Sequence, residues 1–305
     1  MTWSATLALA GAGGEPVDLW RTIMSHGVAD LPPNRIDEEA RTLETTVAVP
    51  RGRPQTMIVR EGRGGKAALT GTAGKRSEAV LDGVRHILRI DEDLSEFYAL
   101  AAEDPDLVWV THGAGRLMRS QTVYEDVVKT ICTTNTAWSG TVRMVSAIVE
   151  HLGEPAAGAP PDSPFGRAFP SPAAMAAAPE SFYRDVARSG YRGAYLRSLA
   201  QSVASGEIDL EELATAPPGD LPDDEVAARL LALPGVGPYA AAHIMMLIGR
   251  YSRLVLDSWT RPTYASLNGR KAKDTAIERR FRRYGRYSGL AFWLFLTRDW
   301  VAEPV

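Results

Sequence analysis

The residues best suited to chemistry lie between positions 223 and 267, where the chain reads DDEVAARLLAL, then PGVGPYAAAHIMMLIG, then RYSRLVLDSWTRPTYASL. Two helical runs meet there at a very tight turn. Gly235 and Gly237 can take a positive φ where a side chain could not, and Pro238 suits the first turn of the second helix, where its missing N–H has no partner to lose. Small residues at a helix start also let a phosphate oxygen approach bare backbone N–H groups at the positive end of the helix dipole. An ordinary αα-hairpin turn accounts for the same pattern equally well. Downstream, Asp257 follows the apolar run Leu254, Val255, Leu256. Taken alone it reads as an N-cap. A carboxylate held in a water-poor site could also stabilise positive charge or orient a water molecule.

The elements that must position these groups differ along the chain. Residues 42–90 hold short runs with β-branched residues, TLETTVAVP, QTMIVREG, KAALTGT and VRHILRI, separated by turns such as RGRP and GRGG, and they predict a small antiparallel sheet. Beyond Asp91 the texture becomes helical: Leu94, Phe97, Tyr98 and Ala101 keep the i, i+3, i+4, i+7 spacing, and Val127, Val128 and Ile131 continue it. The Pro- and Gly-rich stretch 154–172 reads as a connection between helical groups. The expected class is α+β, with a sheet domain over 1–92, a helical domain over 93–220, and the hairpin with the last helices over 221–305.

Composition narrows the partners. The chain has 305 residues, 45% hydrophobic and 23% charged, enough for a sizeable core and not the composition of a disordered segment. A formal charge of −3 argues against any partner held by overall charge, so a polyanion needs a local basic patch. One exists: nine Arg and Lys residues, Lys271 and Lys273 among them, lie between Arg261 and Tyr287 against only Asp274 and Glu278. Such a run is a phosphate-contacting face or simply a solvated helix face. Cys132 is the single cysteine, which excludes an internal disulfide framework and an iron–sulfur cluster built by this chain alone. Apolar runs stop well short of about 18 residues, and the N-terminus lacks the basic start of a secretory signal. The expectation is a cytoplasmic, monomeric protein without a membrane partner.

With the hairpin LPGVGPYAAAHI (233–244) and LVLDS (254–258) at this spacing, the sequence resembles the helix-hairpin-helix DNA glycosylases. It is most similar to the branch of 8-oxoguanine DNA glycosylase and 3-methyladenine DNA glycosylase II, through residues 84–107, 115–135 and 189–200 in the same order. The resemblance spans about residues 40 to 300 and implies an N-terminal sheet domain before two helical domains. It implies double-stranded DNA carrying a damaged or modified base as partner, with the target base flipped out of the duplex. Asp257 falls at the family's catalytic carboxylate, and Pro262, just beyond it, departs from a continuing helix. Gly235, Gly237 and Tyr239 fall on DNA-contacting positions, as do Asn135, Tyr191 and Arg192, where relatives plug the stack and contact the orphaned base. Members that also cut the strand use a lysine where this chain has Tyr239, so the resemblance implies base release without lyase chemistry. No cofactor is required, and the carbonyls of Leu231, Leu233 and Val236 match those that hold a structural Na+ or K+ in relatives.

The base pocket carries over by position to Tyr239, His243, Phe292 and Leu296. The glutamine that reads oxidised guanine is not reproduced, while Phe292 and Trp293 offer stacking, which suits an electron-poor alkylated base or a bulkier modified one. His243 reads equally well as a core histidine. Three functions stay open: a repair glycosylase for alkylated bases, a glycosylase excising a bulky modified base from phage DNA with Ala240, Ala241 and Ala242 giving room, and a DNA lesion-binding protein without catalysis.

Overall fold

A computed structural model describes residues 2–72 and 77–301. The chain folds as α+β. Five strands, β1 (Trp3–Ala8), β2 (Arg35–Asp37), β3 (Thr42–Val47), β4 (Gln55–Glu61) and β5 (Lys66–Gly71), form one antiparallel sheet in the order β1-β5-β4-β3-β2. Alternation explains the buried face: Leu43, Met57, Val59, Ala67 and Leu69 all point into one core. The helices are α1 (Leu19–Ile23), α2 (Glu78–Ile87), α3 (Ser95–Ala102), α4 (Val123–Thr133), α5 (Trp138–Leu152), α6 (Pro172–Ala177), α7 (Arg192–Ala204), α8 (Glu212–Thr215), α9 (Asp223–Leu231), α10 (Pro238–Leu247), α11 (Thr260–Leu267), α12 (Asp274–Phe281) and α13 (Ser288–Thr297). Among the described residues, no helix is long and apolar enough to cross a membrane.

Two expectations about the sheet need correction. VRHILRI is the last part of α2 and the turn after it, not a strand. Val80, Leu81, Val84 and Ile87 recur at helical spacing, and Ser77 caps the first turn by accepting the Val80 N–H. That face packs on the sheet, so burial overrides β-branched content. The sheet also recruits β1 from the extreme N-terminus, a pairing 58 or more residues distant in sequence that no local pattern announces.

The helical part has two cores, and they do not divide at residue 220. Residues 94–117 pack with 242–296, while 123–213 pack mainly with 221–248. Helix α10 belongs to both: Ala240, Ala241, Ile244 and Met245 face one core, Ala242 and Met246 the other. A helix apolar all round is a central helix, and each fully buried large aliphatic side chain contributes about 2 kcal/mol. Its C-terminal end is held from the sheet side by Arg89, wholly buried, whose guanidinium donates to the carbonyls of Leu117 and Leu247 and pairs with Glu92 at 3.2 Å. The two helical groups therefore meet along α10, and the cavity described next opens there.

Candidate active site

The turn between α9 and α10 is built as its glycines require. Gly235 sits at φ +84°, and a Cβ there would stand 2.8 Å from Cδ2 of Tyr195. Gly237 is exposed, and a Cβ on it would meet no protein atom within 4 Å. The first glycine is demanded by the protein. The second leaves backbone open to whatever approaches from outside. Leu233 and Val236 are buried, and the Leu233 carbonyl already accepts the Val236 N–H at 3.1 Å.

Asp257 is an N-cap and more. Its Oδ1 accepts the N–H groups of Trp259 at 2.8 Å and Thr260 at 2.7 Å, while the Thr260 hydroxyl accepts the Asp257 N–H at 2.8 Å. This reciprocal cap fixes the carboxylate plane and leaves Oδ2 without a donor among the described residues. Pro262 does no damage, because it lies in the first turn of α11, where a missing N–H is tolerated.

Asp257 lines a cavity of about 520 Å³ and, among the described residues, is the one charged side chain in its wall. Tyr239, on the first turn of α10, lines it too, so the acid and the glycine turn share one space. The rest of the wall is strongly aromatic: Trp138, Trp259, Trp293 and Trp300 contribute four of the chain's seven tryptophans. Trp259, Trp293 and Trp300 pack mutually with ring centres 5.4 to 5.8 Å apart, and Trp293 donates its indole N–H to the Ser25 carbonyl at 2.8 Å. Tyr239 stacks on His243 one turn along α10, at 5.9 Å.

Both wall histidines are neutral. Burial pushes His243 down to about 4, and its Nδ1 lies 3.2 Å from the Thr130 hydroxyl. Burial likewise pushes His26 down to about 3, with Nε2 donating to the Met118 carbonyl at 2.6 Å. Burial, reinforced by the charge of Asp257, lifts the Tyr239 phenol above its ordinary value. The single cysteine is no nucleophile: Cys132 is fully buried and its thiol is pushed up to about 12 by burial.

Several expected site residues lie elsewhere. Phe292 and Leu296 are buried in the second helical core, Phe292 against Phe281 and Tyr264, and are not in the cavity wall. They share one side of α13 through their i, i+4 spacing, and the neighbouring residue Trp293 takes the wall position. Ala240, Ala241 and Ala242 are packed in the cores and make no room in the cavity. Arg192 is 6% exposed, and its guanidinium donates to the carbonyls of Thr134 and Asn135, so it shapes that loop and is not free to meet DNA. Asn135 is exposed at φ +44°. Tyr191 is 53% exposed, lies under the Arg192 guanidinium and edges onto Tyr195, the ring beneath Gly235. Arg192 and Tyr195 therefore link Asn135 and Tyr191 to the glycine turn. Leu231 is exposed at the end of α9.

Lys271 and Lys273 are exposed between α11 and α12, away from the cavity wall. The basic run is thinner than its count suggested. Arg261 pairs with Asp274, Arg280 with Asp106, Arg283 with Asp104 and Arg286 with Glu96. Three of those acids come from the 96–106 region, invisible to a local charge count. Arg270, Lys271, Lys273, Arg279 and Arg282 form no ion pair among the described residues.

Sequence reasoning missed His26, Trp138, Trp259 and Trp300. The tryptophans were the available signal, since this aromatic is uncommon and three of these are at least 38% exposed.

No protein-family model and no curated protein matches the chain. Solved structures do. A 3-methyladenine DNA glycosylase from Archaeoglobus fulgidus superposes with TM-score 0.71 at 20% identity, covering 98% of this chain and 100% of that one. An 8-oxoguanine glycosylase/lyase from Clostridium acetobutylicum gives 0.72 at 20% identity, covering 96% and 95%. This chain has the helix-hairpin-helix DNA glycosylase fold. A structure of the Clostridium glycosylase/lyase with double-stranded DNA containing cytosine opposite 8-oxoguanine also matches, with TM-score 0.67 at 20% identity over 90% and 92%. On that fold, this chain carries a tryptophan-walled cavity and a phenol on the first turn of α10.

Proposed function

We propose that the protein is a monofunctional DNA glycosylase that releases an alkylated base from duplex DNA and leaves an abasic site. The observation that carries this reading is the cavity wall: one fixed carboxylate among aromatic rings, with no cation and no ready acid. Breaking the C1′–N bond builds positive charge on the sugar, which the free Oδ2 of Asp257 stabilises. Water adds to C1′, its proton passes to the carboxylate, and the bonding electron pair leaves with the base. Neutral His26 and His243 and the weakly acidic Tyr239 cannot protonate that leaving group at neutral pH. A base that already carries a positive charge needs no such proton, because it departs neutral. Trp259 and Trp293 would stack on its electron-poor ring.

Tyr239 cannot form a Schiff base with the sugar. Borohydride added during turnover is therefore expected to trap no covalent protein–DNA adduct, and strand cleavage should appear only after alkali. An adduct visible on a denaturing gel would overturn the monofunctional assignment.

On the DNA side, the glycine turn and the joined Asn135 and Tyr191 would contact the strand around the extruded nucleotide. Lys271 and Lys273 would contact phosphates further out. Replacing both by Ala should lower the slope of log K against log salt by about two and weaken all duplexes alike. An unchanged slope in binding titrations would remove them from the interface. The carbonyls of Leu231 and Val236, with the remaining lone pair of Leu233, would hold a monovalent cation that stiffens the turn.

A further inference from the structure

A second cavity, of about 220 Å³, adjoins the first and shares His26, Gly27, Trp138 and Trp300 with it. Its own walls add Asp30 and, from β2 and the residue following it, Ile36 and Glu38. The two spaces differ in character. The first is aromatic, whereas the second is acidic, and no Lys or Arg among the described residues is paired with Asp30 or Glu38. Asp30 Oδ1 accepts the Ile36 N–H at 2.7 Å, which fixes one oxygen and leaves the other without a hydrogen-bond donor among the described residues. Burial, with the Glu38 charge added, raises the Asp30 carboxyl above the ordinary carboxylate range despite that bond.

A second, independent feature points to a ligand. His26 is 95% buried (5% exposed) and lines both cavities, its proton is committed to the Met118 carbonyl, and its Nδ1 acceptor has no partner among the described residues. A buried acceptor left unsatisfied costs about 1–3 kcal/mol, which a donor on a bound molecule would recover.

We infer that the second cavity receives the substituent of a modified base seated in the first, and that this substituent carries hydrogen-bond donors, hydroxyl or ammonium. The inference rests on the glycosylase reading and adds to it what the base must carry. A methyl group would leave the acidic space unused, whereas a longer polar chain would pass between Trp138 and Trp300 to reach it.

The test compares duplexes with a single guanine alkylated at N7 by methyl, n-propyl, 2-hydroxyethyl or 2-aminoethyl, under single-turnover conditions with protein below saturation. The donor-bearing chains should be released about tenfold faster than n-propyl, the worth of one hydrogen bond to a charged group. The variant with Asp30→Asn and Glu38→Gln should lose that preference and keep its rate on the methyl substrate, since the Asn oxygen still accepts the Ile36 N–H. A larger loss on 2-aminoethyl than on 2-hydroxyethyl would identify the ammonium as the preferred donor, and equal losses the hydroxyl-type contact common to both. No preference over n-propyl, or a preference that survives in the double variant, overturns the inference. If no substrate is released, the glycosylase reading fails, and quenching of tryptophan fluorescence by the four free alkylguanines still decides the inference, with tighter binding of the donor-bearing pair required.

Discussion

Asp257→Asn is expected to lower base release by about 10²–10³-fold while leaving affinity for duplex DNA nearly unchanged. The substitution separates charge from structure unusually well. The Oδ1 of Asn can still accept the Trp259 and Thr260 N–H groups, and the Asp257 backbone N–H still finds the Thr260 hydroxyl. What disappears is the negative charge on Oδ2, which accepts no hydrogen bond among the described residues. Base release from a 7-methylguanine duplex, read by alkali-sensitive cleavage, measures the first quantity, and fluorescence anisotropy of a labelled duplex measures the second. Release within tenfold of the parent rate would show that this carboxylate does not stabilise the sugar cation, whereas no release by the parent protein itself would put the lesion-binding reading in place of the enzyme.

The second large effect divides the two turn glycines. Gly235→Ala should destabilise the fold by about 1–3 kcal/mol, because an L side chain is strained at φ +84° and its Cβ would press on Tyr195 at 2.8 Å. That corresponds to a melting temperature lower by roughly 2–4 °C per kcal/mol. Gly237→Ala meets neither obstacle, since its φ is −99° and the space beside it is open. Its melting temperature should stay at the parent value while DNA affinity falls about tenfold or more, because the new methyl stands where a strand would approach the helix N-terminus. Thermal melts and anisotropy titrations of the two variants decide the matter. Normal DNA binding by Gly237→Ala would mean that the turn does not meet the strand.

Much of this molecule was legible in one dimension, and the reason differs from part to part. The glycine turn and the start of α10 follow from backbone sterics alone, which depend on residue type and not on neighbours. The N-cap character of Asp257 is local for the same reason, since its partners Trp259 and Thr260 lie two and three residues away. The β-to-α change along the chain follows from side-chain period, although 84–87 went to a helix because its apolar face had a sheet to cover.

The sequence by itself determined the turn and the capped acid, because each depends on contacts within a few residues. Only the tertiary structure decided the cavity. His26, Trp138 and the pair Trp293 and Trp300 come from three distant segments, and α13 presents Trp293 while hiding Phe292 and Leu296 only because of where its neighbours pack. Charge behaved in the same way. Acids at 96–106 fold back onto the basic run and neutralise part of it, an interaction that Coulomb's law permits at any sequence separation once the chain has brought the groups together.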